Sequence, residues 1–199
     1  KVSASEDYAG GVAGYLGGAS VGGLLNSTVG LGEFLGFTVD GITLNGAYTV
    51  AATGDYAGGA FGMAMAGDAS KITINGITSV SARNNAGGFL GLGGPGSLAT
   101  AGDGGLTINL LGLNNLINLS NVLSVIPGLQ MTLTDCSVTG GEDFTVEAKG
   151  GDGSTLDDFA AGGFVGRGNS TDMTNCHVSN LLAVTAPTEK AGTQGESGF

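Results

Sequence analysis

"VAATGDYAGGAFG", residues 50–62, contains two short patterns that return along the chain. The first is Val-x-Ala, beginning at Val50. The second is Ala-Gly-Gly followed by two apolar residues and a further glycine. Copies of the second pattern occur at residues 9–14, 57–62, 86–91 and 161–166, each with a Val-x-Ala upstream. Internal similarity of this kind indicates a repeat architecture, in which successive units stack on one another.

A third pattern, of the form apolar-Thr-apolar, follows the Ala-Gly-Gly copies. It is found in "FTVDGITL" (37–44), "ITINGITS" (72–79), "LTINLLGL" (106–113), "MTLTDCSV" (131–138) and, in degenerate form, "TDMTNCHV" (171–178). Its alignment predicts two core columns, one of Val39, Ile74, Leu133 and Met173 and the other of Ile42, Ile77, Cys136 and Cys176. The residues between the columns include turn formers, which predict a tight corner in each unit. These turn formers are Asp40, Asn75, Asp135 and Asn175.

The apolar residues within each pattern alternate with a period of two, which is typical of strands. We therefore predict an all-β fold, a right-handed parallel β-helix (β-solenoid) with three short strands per coil, as a single domain over residues 1–199. The glycine pairs are interpreted as backbone corners and not as phosphate-binding loops, because no Lys-Ser/Thr or βαβ context follows them. These pairs are Gly58 and Gly59, Gly87 and Gly88, and Gly162 and Gly163.

Two long insertions, residues 15–36 and 92–130, follow the same strand of the predicted unit and should emerge on one flank. The second is rich in leucine and isoleucine. Its apolar side chains either cover an open flank of the core or form a ridge for a partner. The residues of this predicted ridge are Leu113, Leu116, Ile117, Leu123 and Ile126.

Charge and hydropathy narrow the classes of partner. The formal net charge of −11 disfavours nucleic acid and anionic membranes. Asparagines interrupt the most apolar stretch, so no membrane span is predicted. The sequence begins at Lys1 without a signal segment, and we expect it to be a slice of a longer protein.

Few residues offer chemistry. Cys136 and Cys176 share a predicted core column and are either free buried thiols or a disulfide. His177 is expected to point outward, away from Cys176, which argues against a Cys-His pair. The acidic stretch 140–158 is either a solvated loop or a calcium loop. Its predicted calcium ligands are Asp152, Asp157 and Asp158.

Polar residues recur just before the Ala-Gly-Gly copies. Asp7, Asp55, Asn85 and Asp158 could form an outward ladder on adjacent coils. Such residues either cap turns or, as paired carboxylates, perform acid–base chemistry on a glycan. The shortage of basic residues disfavours an enzyme acting on acidic glycans.

The pattern Gly-Gly-x-x-Gly, a short gap and Asn-Cys-x-Val resembles the GLUG-type repeats of large bacterial cell-surface and adhesin-like proteins, most closely at residues 161–178. The resemblance implies an extracellular β-helical module that binds or spaces and does not catalyse. Its implied partners are adjacent repeats or neighbouring subunits, and host or cell-wall glycan or protein. The competing hypotheses are a glycan-active β-helix enzyme and a self-assembling filament or sheath subunit.

Overall fold

The computed structural model describes residues 1–17, 36–95, 130–151, 159–169, 171–187 and 196–198. This part of the chain is all-β and contains no helix. Its strands are β1 (Val2–Ala4), β2 (Tyr8–Gly10), β3 (Ala13–Gly17), β4 (Phe37–Asp40), β5 (Thr43–Ala52), β6 (Tyr56–Gly58), β7 (Phe61–Met65), β8 (Gly67–Ser70), β9 (Thr73–Ala82), β10 (Asn85–Gly87), β11 (Leu90–Gly94), β12 (Met131–Thr134), β13 (Ser137–Ala148), β14 (Ala160–Gly162), β15 (Val165–Gly168), β16 (Thr171–Thr174), β17 (His177–Thr185) and β18 (Glu196–Gly198).

The described strands pair in parallel and form four sheets. Sheet I has the order β1-β5-β9-β13-β17, sheet II β18-β14-β10-β6-β2, sheet III β15-β11-β7-β3 and sheet IV β16-β12-β8-β4. Each strand is followed by one in the next sheet, and its partner in the same sheet comes one circuit later. The architecture is therefore solenoid-like, as the sequence predicted. The predicted three strands per coil are not confirmed, since the described strands fall in four sheets.

Two of the three sequence patterns have the predicted register. The valines of the Val-x-Ala copies are successive partners in sheet I, in the order Val2, Val50, Val80, Val146 and Val184. The alanines of the Ala-Gly-Gly copies are successive partners in sheet II, in the order Ala9, Ala57, Ala86 and Ala161. β18 then pairs Ser197 with Ala161, so Ser197 occupies this position in the last circuit.

The third pattern has a different register from the predicted one in the second copy. Val39 pairs with Ala69 and not with Ile74, because "GDASKITI" (67–74) is the true partner of "FTVDGITL". The column that ends in Cys136 and Cys176 therefore contains Ile72 where Ile77 was predicted. The hydrogen bond from the Thr73 amide to the Ile42 carbonyl, 2.8 Å, fixes this register.

The corner between sheets IV and I follows from the same register. Gly41, Lys71, Asp135 and Asn175 occupy equivalent places, with φ of 73°, 51°, 54° and 53°. Side chains link these corners along the array. Ser70 Oγ donates to Asp40 Oδ1 at 2.7 Å, and Asn175 Nδ2 donates to Asp135 Oδ1 at 2.6 Å. Left-handed backbone with side-chain capping is what Asn, Asp and Gly tolerate best, so Lys71 is the exception.

Asn75 is not a corner residue, contrary to the prediction. It lies within β9, and its Nδ2 donates to Asn45 Oδ1 of β5 at 2.9 Å. Just beyond this pair the register of sheet I shifts, and Gly46 and Gly76 have φ of 108° and 91°. A bulge with glycine in positive φ bends a strand, and these bulges bend the long strands of sheet I midway.

The core is formed by the inward columns of all four sheets and is tightest in the middle coils. Its largest fully buried side chains are Phe61, Phe89, Phe144, Ile72, Ile74, Ile77, Leu90, Met131, Leu133, Val50, Val80 and Val138. Phe89 links three coils, because its ring stacks on Phe164 at 4.8 Å and meets Phe61 edge-on at 5.6 Å. Apolar side chains of neighbouring coils stack in this way and bury one another's surface.

The Ala-Gly-Gly corner between sheets II and III leaves no room for side chains. A Cβ at Gly58, Gly87 or Gly162 would overlap the carbonyl of the residue three places on in the chain. A Cβ at Gly59 or Gly88 would overlap a carbonyl of the next coil. Close backbone approach is therefore the physical reason for glycine at this corner.

Both predicted insertions connect sheet III to sheet IV. β3 ends at Gly17 and β4 begins at Phe37, whereas β11 ends at Gly94 and β12 begins at Met131. The first residues of each predicted insertion, 15–17 and 92–94, belong to the sheet III strands. The predicted ridge from Leu113 to Ile126 lies outside the described residues.

Candidate binding surface

Tyrosines form a row on the outer side of sheet II. Tyr8 and Tyr56 are partners in the sheet, and their rings stack at 5.5 Å with an interplanar angle of 16°. They alternate with the buried Ala9 and Ala57, so the period of two turns the tyrosines outward. The parallel register thus places two aromatic rings one above the other on adjacent coils.

A third ring joins the row from sheet III. Tyr15 lies 5.5 Å from Tyr8, with its ring tilted by 52°. Gly14, beside Tyr15 in β3, allows this close approach, because a Cβ at Gly14 would lie 2.8 Å from the Tyr8 carbonyl oxygen. Tyr8 remains 40% exposed and Tyr15 54% exposed. We call Tyr8, Tyr15 and Tyr56 the tyrosine platform.

Carboxylates border the platform at the corner between sheets I and II. Three hydrogen bonds converge on Asp55 Oδ1, from Arg83 Nε at 3.1 Å, from Arg83 Nη2 and from Asn84 Nδ2 at 3.0 Å. The hydrogen bond to Asp55, the charge of Asp55 and the charge of Asp7 raise the pKa of the Arg83 guanidinium. Asp55 is therefore clamped by the following coil.

The predicted polar row needs one correction. Ladder hydrogen bonds run from the Tyr56 amide to the Asp7 carbonyl and from the Asn85 amide to the Asp55 carbonyl, each at 2.7 Å. Asp7, Asp55 and Asn84 are therefore equivalent, whereas Asn85 takes the position of the tyrosines. Asn85 is 4% exposed, and its Oδ1 accepts no hydrogen bond from the part of the chain that the structure describes. Asp158 lies outside the described residues.

The phenols of the platform respond to these charges. Partial burial and then the Asp7 carboxylate raise the pKa of Tyr8. Partial burial and then Asp55 raise the pKa of Tyr56, while the positive charge of Arg167 acts in the opposite direction. Charges of both signs therefore act at this surface. An open recess of about 350 Å³, lined by residues 3–8, adjoins Tyr8.

The two cysteines are free and occupy one column, one coil apart. Cys136 is fully buried, and burial raises the pKa of its thiol to about 11. Cys176 is half-buried, and its Sγ lies 3.5 Å from the Leu133 carbonyl oxygen. His177 is exposed beside it on the strand. These residues form no nucleophile–base pair, since neighbours along a strand face opposite sides.

The described ranges offer no cluster of metal ligands and no membrane-spanning helix. No group of three or more His, Cys, Asp or Glu residues there could hold a metal ion. The predicted calcium ligands Asp152, Asp157 and Asp158 fall outside those ranges. No helix in the described part has the length and apolar character needed to cross a bilayer.

Sequence reasoning missed the tyrosine platform and the role of Arg83. The signal for the first was a tyrosine directly before two Ala-Gly-Gly copies, at Tyr8 and Tyr56. Arg83 gave no comparable signal, because its partner Asp55 is assigned only once the coil register is known.

Comparison of the chain with protein-family models, curated proteins and solved structures gave no match to any of them. The resemblance to GLUG-type repeats therefore stays a prediction from residues 161–178.

Proposed function

We propose that this chain is a non-catalytic module of a bacterial cell-surface protein of the adhesin or stalk type. Its role is to extend that protein and to display binding surfaces. We further propose that its coils wind as a right-handed parallel β-helix, because parallel crossover connections are overwhelmingly right-handed. The proposed partners are adjacent repeats of the same protein or neighbouring subunits.

The observation that supports this proposal is the exposure of core columns at the edge of the array. Val138 is fully buried, whereas its partner Val178 in β17 is half-buried. Met173, the partner of the buried Leu133, is 53% exposed. Solenoid repeats contact only their neighbours, so an edge coil exposes what an inner coil buries. Further coils of the same kind would cover these side chains.

Light scattering and small-angle X-ray scattering of the chain over a range of concentrations test the proposal. Open edges should give concentration-dependent end-to-end association of elongated particles. A strictly monodisperse, compact monomer at high concentration, with a high melting temperature, would contradict it. Regular growth into long filaments would instead favour the sheath-subunit hypothesis.

Localisation is tested separately, with an antibody raised against the chain. Proposed display at the surface predicts labelling of intact source cells, and loss of that labelling after protease treatment of the cells. Labelling only after lysis would contradict the surface assignment.

The glycan-active enzyme is the second candidate, and the carboxylates beside the tyrosine platform favour it. Asp7 and Asp55 lie on adjacent coils, and strands in one sheet are separated by about 4.8 Å. Three donated hydrogen bonds hold Asp55 in place, however, so it serves the corner and is poorly placed to exchange a proton. Release of reducing sugar from neutral polysaccharides, abolished by Asp7→Asn, would favour the enzyme.

A further inference from the structure

We propose that the tyrosine platform, together with the Asp7 carboxylate, binds a neutral polysaccharide along the array. The inference deepens the proposed function by naming the ligand class of the display module, and it rests on that function. It assigns binding alone to this surface.

The geometry of the rings suits an extended chain of sugars. Tyr8 and Tyr15 lie 5.5 Å apart and keep 40% and 54% of their surfaces exposed. Tyr56 continues the row on the next coil, 5.5 Å from Tyr8. Aromatic side chains give a large contact area at low entropic cost, with hydroxyls that form hydrogen bonds at the rim. A linear ligand can therefore contact successive rings without any deep pocket.

Hydrogen-bonding groups border the rings. The charge of the Asp7 carboxylate raises the pKa of both Tyr8 and Tyr56, so Asp7 lies near both rings. Asn85 is more than nine-tenths buried and occupies the tyrosine position of the following coil, and its Oδ1 has no donor among the described residues. A buried oxygen without a partner is unfavourable until it receives a hydrogen bond. Sugar hydroxyls can donate hydrogen bonds to the Asp7 carboxylate, and to Asn85 Oδ1 once that buried atom is uncovered.

The charges at this surface favour a neutral ligand. The chain has only two arginines, and both lie at this surface. Arg83 forms an ion pair with Asp55, and the positive charge of Arg167 acts to lower the pKa of Tyr56. They disfavour a cationic peptide that would otherwise be attracted to aromatic rings beside carboxylates. The net charge of −11 and the carboxylates Asp7 and Asp55 disfavour an acidic polysaccharide.

Affinity electrophoresis tests the inference, because the acidic chain migrates readily in native gels that contain a polymer. The probes are hydroxyethyl cellulose, galactomannan and dextran as neutral polysaccharides, polygalacturonate as an acidic one and polylysine as a cationic polymer. We expect retardation by at least one neutral polysaccharide. Tyr8→Ala and Tyr15→Ala should each weaken it about tenfold, the size expected for loss of one aromatic contact.

Two matched variants separate binding from folding. Tyr8→Phe keeps the ring and should retain most of the retardation. Leu182→Ala removes an apolar side chain that is 65% exposed on sheet I, and it should leave retardation unchanged. Circular dichroism checks that each variant is folded.

Several outcomes would overturn the inference: no retardation by any of the three neutral polysaccharides, binding by Tyr8→Ala equal to that of the parent chain, or retardation by polylysine or polygalacturonate alone. Scattering of the same samples reports the edges of the array independently. If no glycan binds but the chain still associates end to end, the binding role of the tyrosine platform is wrong. The proposed function as a display module is then unaffected.

Discussion

Cys136 and Cys176 occupy the same column one coil apart, yet their surroundings differ. Coils flank Cys136 on both sides, and it is fully buried. Cys176 has a described coil on one side and is half-buried. The repeat pattern thus decides which way a side chain points, while the presence of a neighbouring coil decides how far it is buried. Stability should therefore be concentrated in the middle of the array.

The largest expected effect tests this difference with one substitution at two places. Val138→Ala removes two buried methyl groups and should lower the free energy of unfolding by about 2 kcal/mol. Val178→Ala, its partner one coil further on, should cost less than about 1 kcal/mol, since Val178 is half-buried already. Urea unfolding followed by circular dichroism measures both values. Equal losses would mean that the coil of Val178 is covered in solution.

The second prediction uses the cysteines themselves. At pH 8 a small alkylating reagent should modify Cys176 at least about tenfold faster than Cys136, because the thiolate is the reactive form. The pKa of Cys136 is raised from 9.0 to about 11, and its side chain is buried. The modification rate of Cys136 should therefore keep rising until the pH reaches about 11. Mass spectrometry of native protein after timed labelling assigns each site, and Cys136→Ser and Cys176→Ser serve as controls.

The same pKa shift has a consequence for stability. The native state favours the neutral thiol of Cys136, so this contribution is complete below the ordinary pKa of 9.0 and disappears as the pH rises to about 11. Cys136→Val should remove this part of the alkaline loss, while Cys176→Val should not. Rapid modification of both native thiols, or identical alkaline profiles for both variants, would show that the two sites do not differ.

The smallest effect concerns the corner between sheets IV and I, where the backbone is left-handed in the middle coils and in the edge coils alike. Gly41 has φ of 73° and open space around its Cβ position, so Gly41→Ala should cost about 1 kcal/mol through conformation alone. Lys71 already bears the left-handed conformation at φ 51°, and Lys71→Ala should leave the urea midpoint unchanged. A large loss for Lys71→Ala would mean that its exposed contact with Asp40, 3.5 Å, matters more than the backbone.

The sequence predicted the parallel solenoid-like architecture because Val-x-Ala begins six or seven residues before Ala-Gly-Gly at Val2, Val50 and Val80. It failed where two local signals compete. "Gly-Ile-Thr" occurs at Gly41 and at Gly76, but the first is a corner and the second lies in a bulge. The true corner of that coil is Lys71, a residue type without turn propensity. The separation of 30 residues between Val50 and Val80, which Asp40 and Ser70 share, would have given the right partner for this pair of coils.

The candidate site was less predictable than the fold. The sequence predicts a polar row, but it places Asn85 in that row, whereas the residue two places before the alanine, Asn84, is the partner of Asp55. The tyrosine platform requires both the register of sheet II and the close approach of β3 at Gly14, which brings Tyr15 to Tyr8. Contacts between two sheets depend on such geometry, which a one-dimensional pattern does not contain.

The corner between sheets III and IV joins its strands through Ala66 alone in one coil, and through residues 18–36 and 95–130 in two others. Doubling the length of a connection costs only about 0.6 kcal/mol in closure entropy. The chain can therefore be lengthened at this corner in the course of evolution. The strands of sheets III and IV keep their pairing when the connection between them grows. The same property makes the position between Met65 and Gly67 a natural graft point for an epitope or reporter peptide.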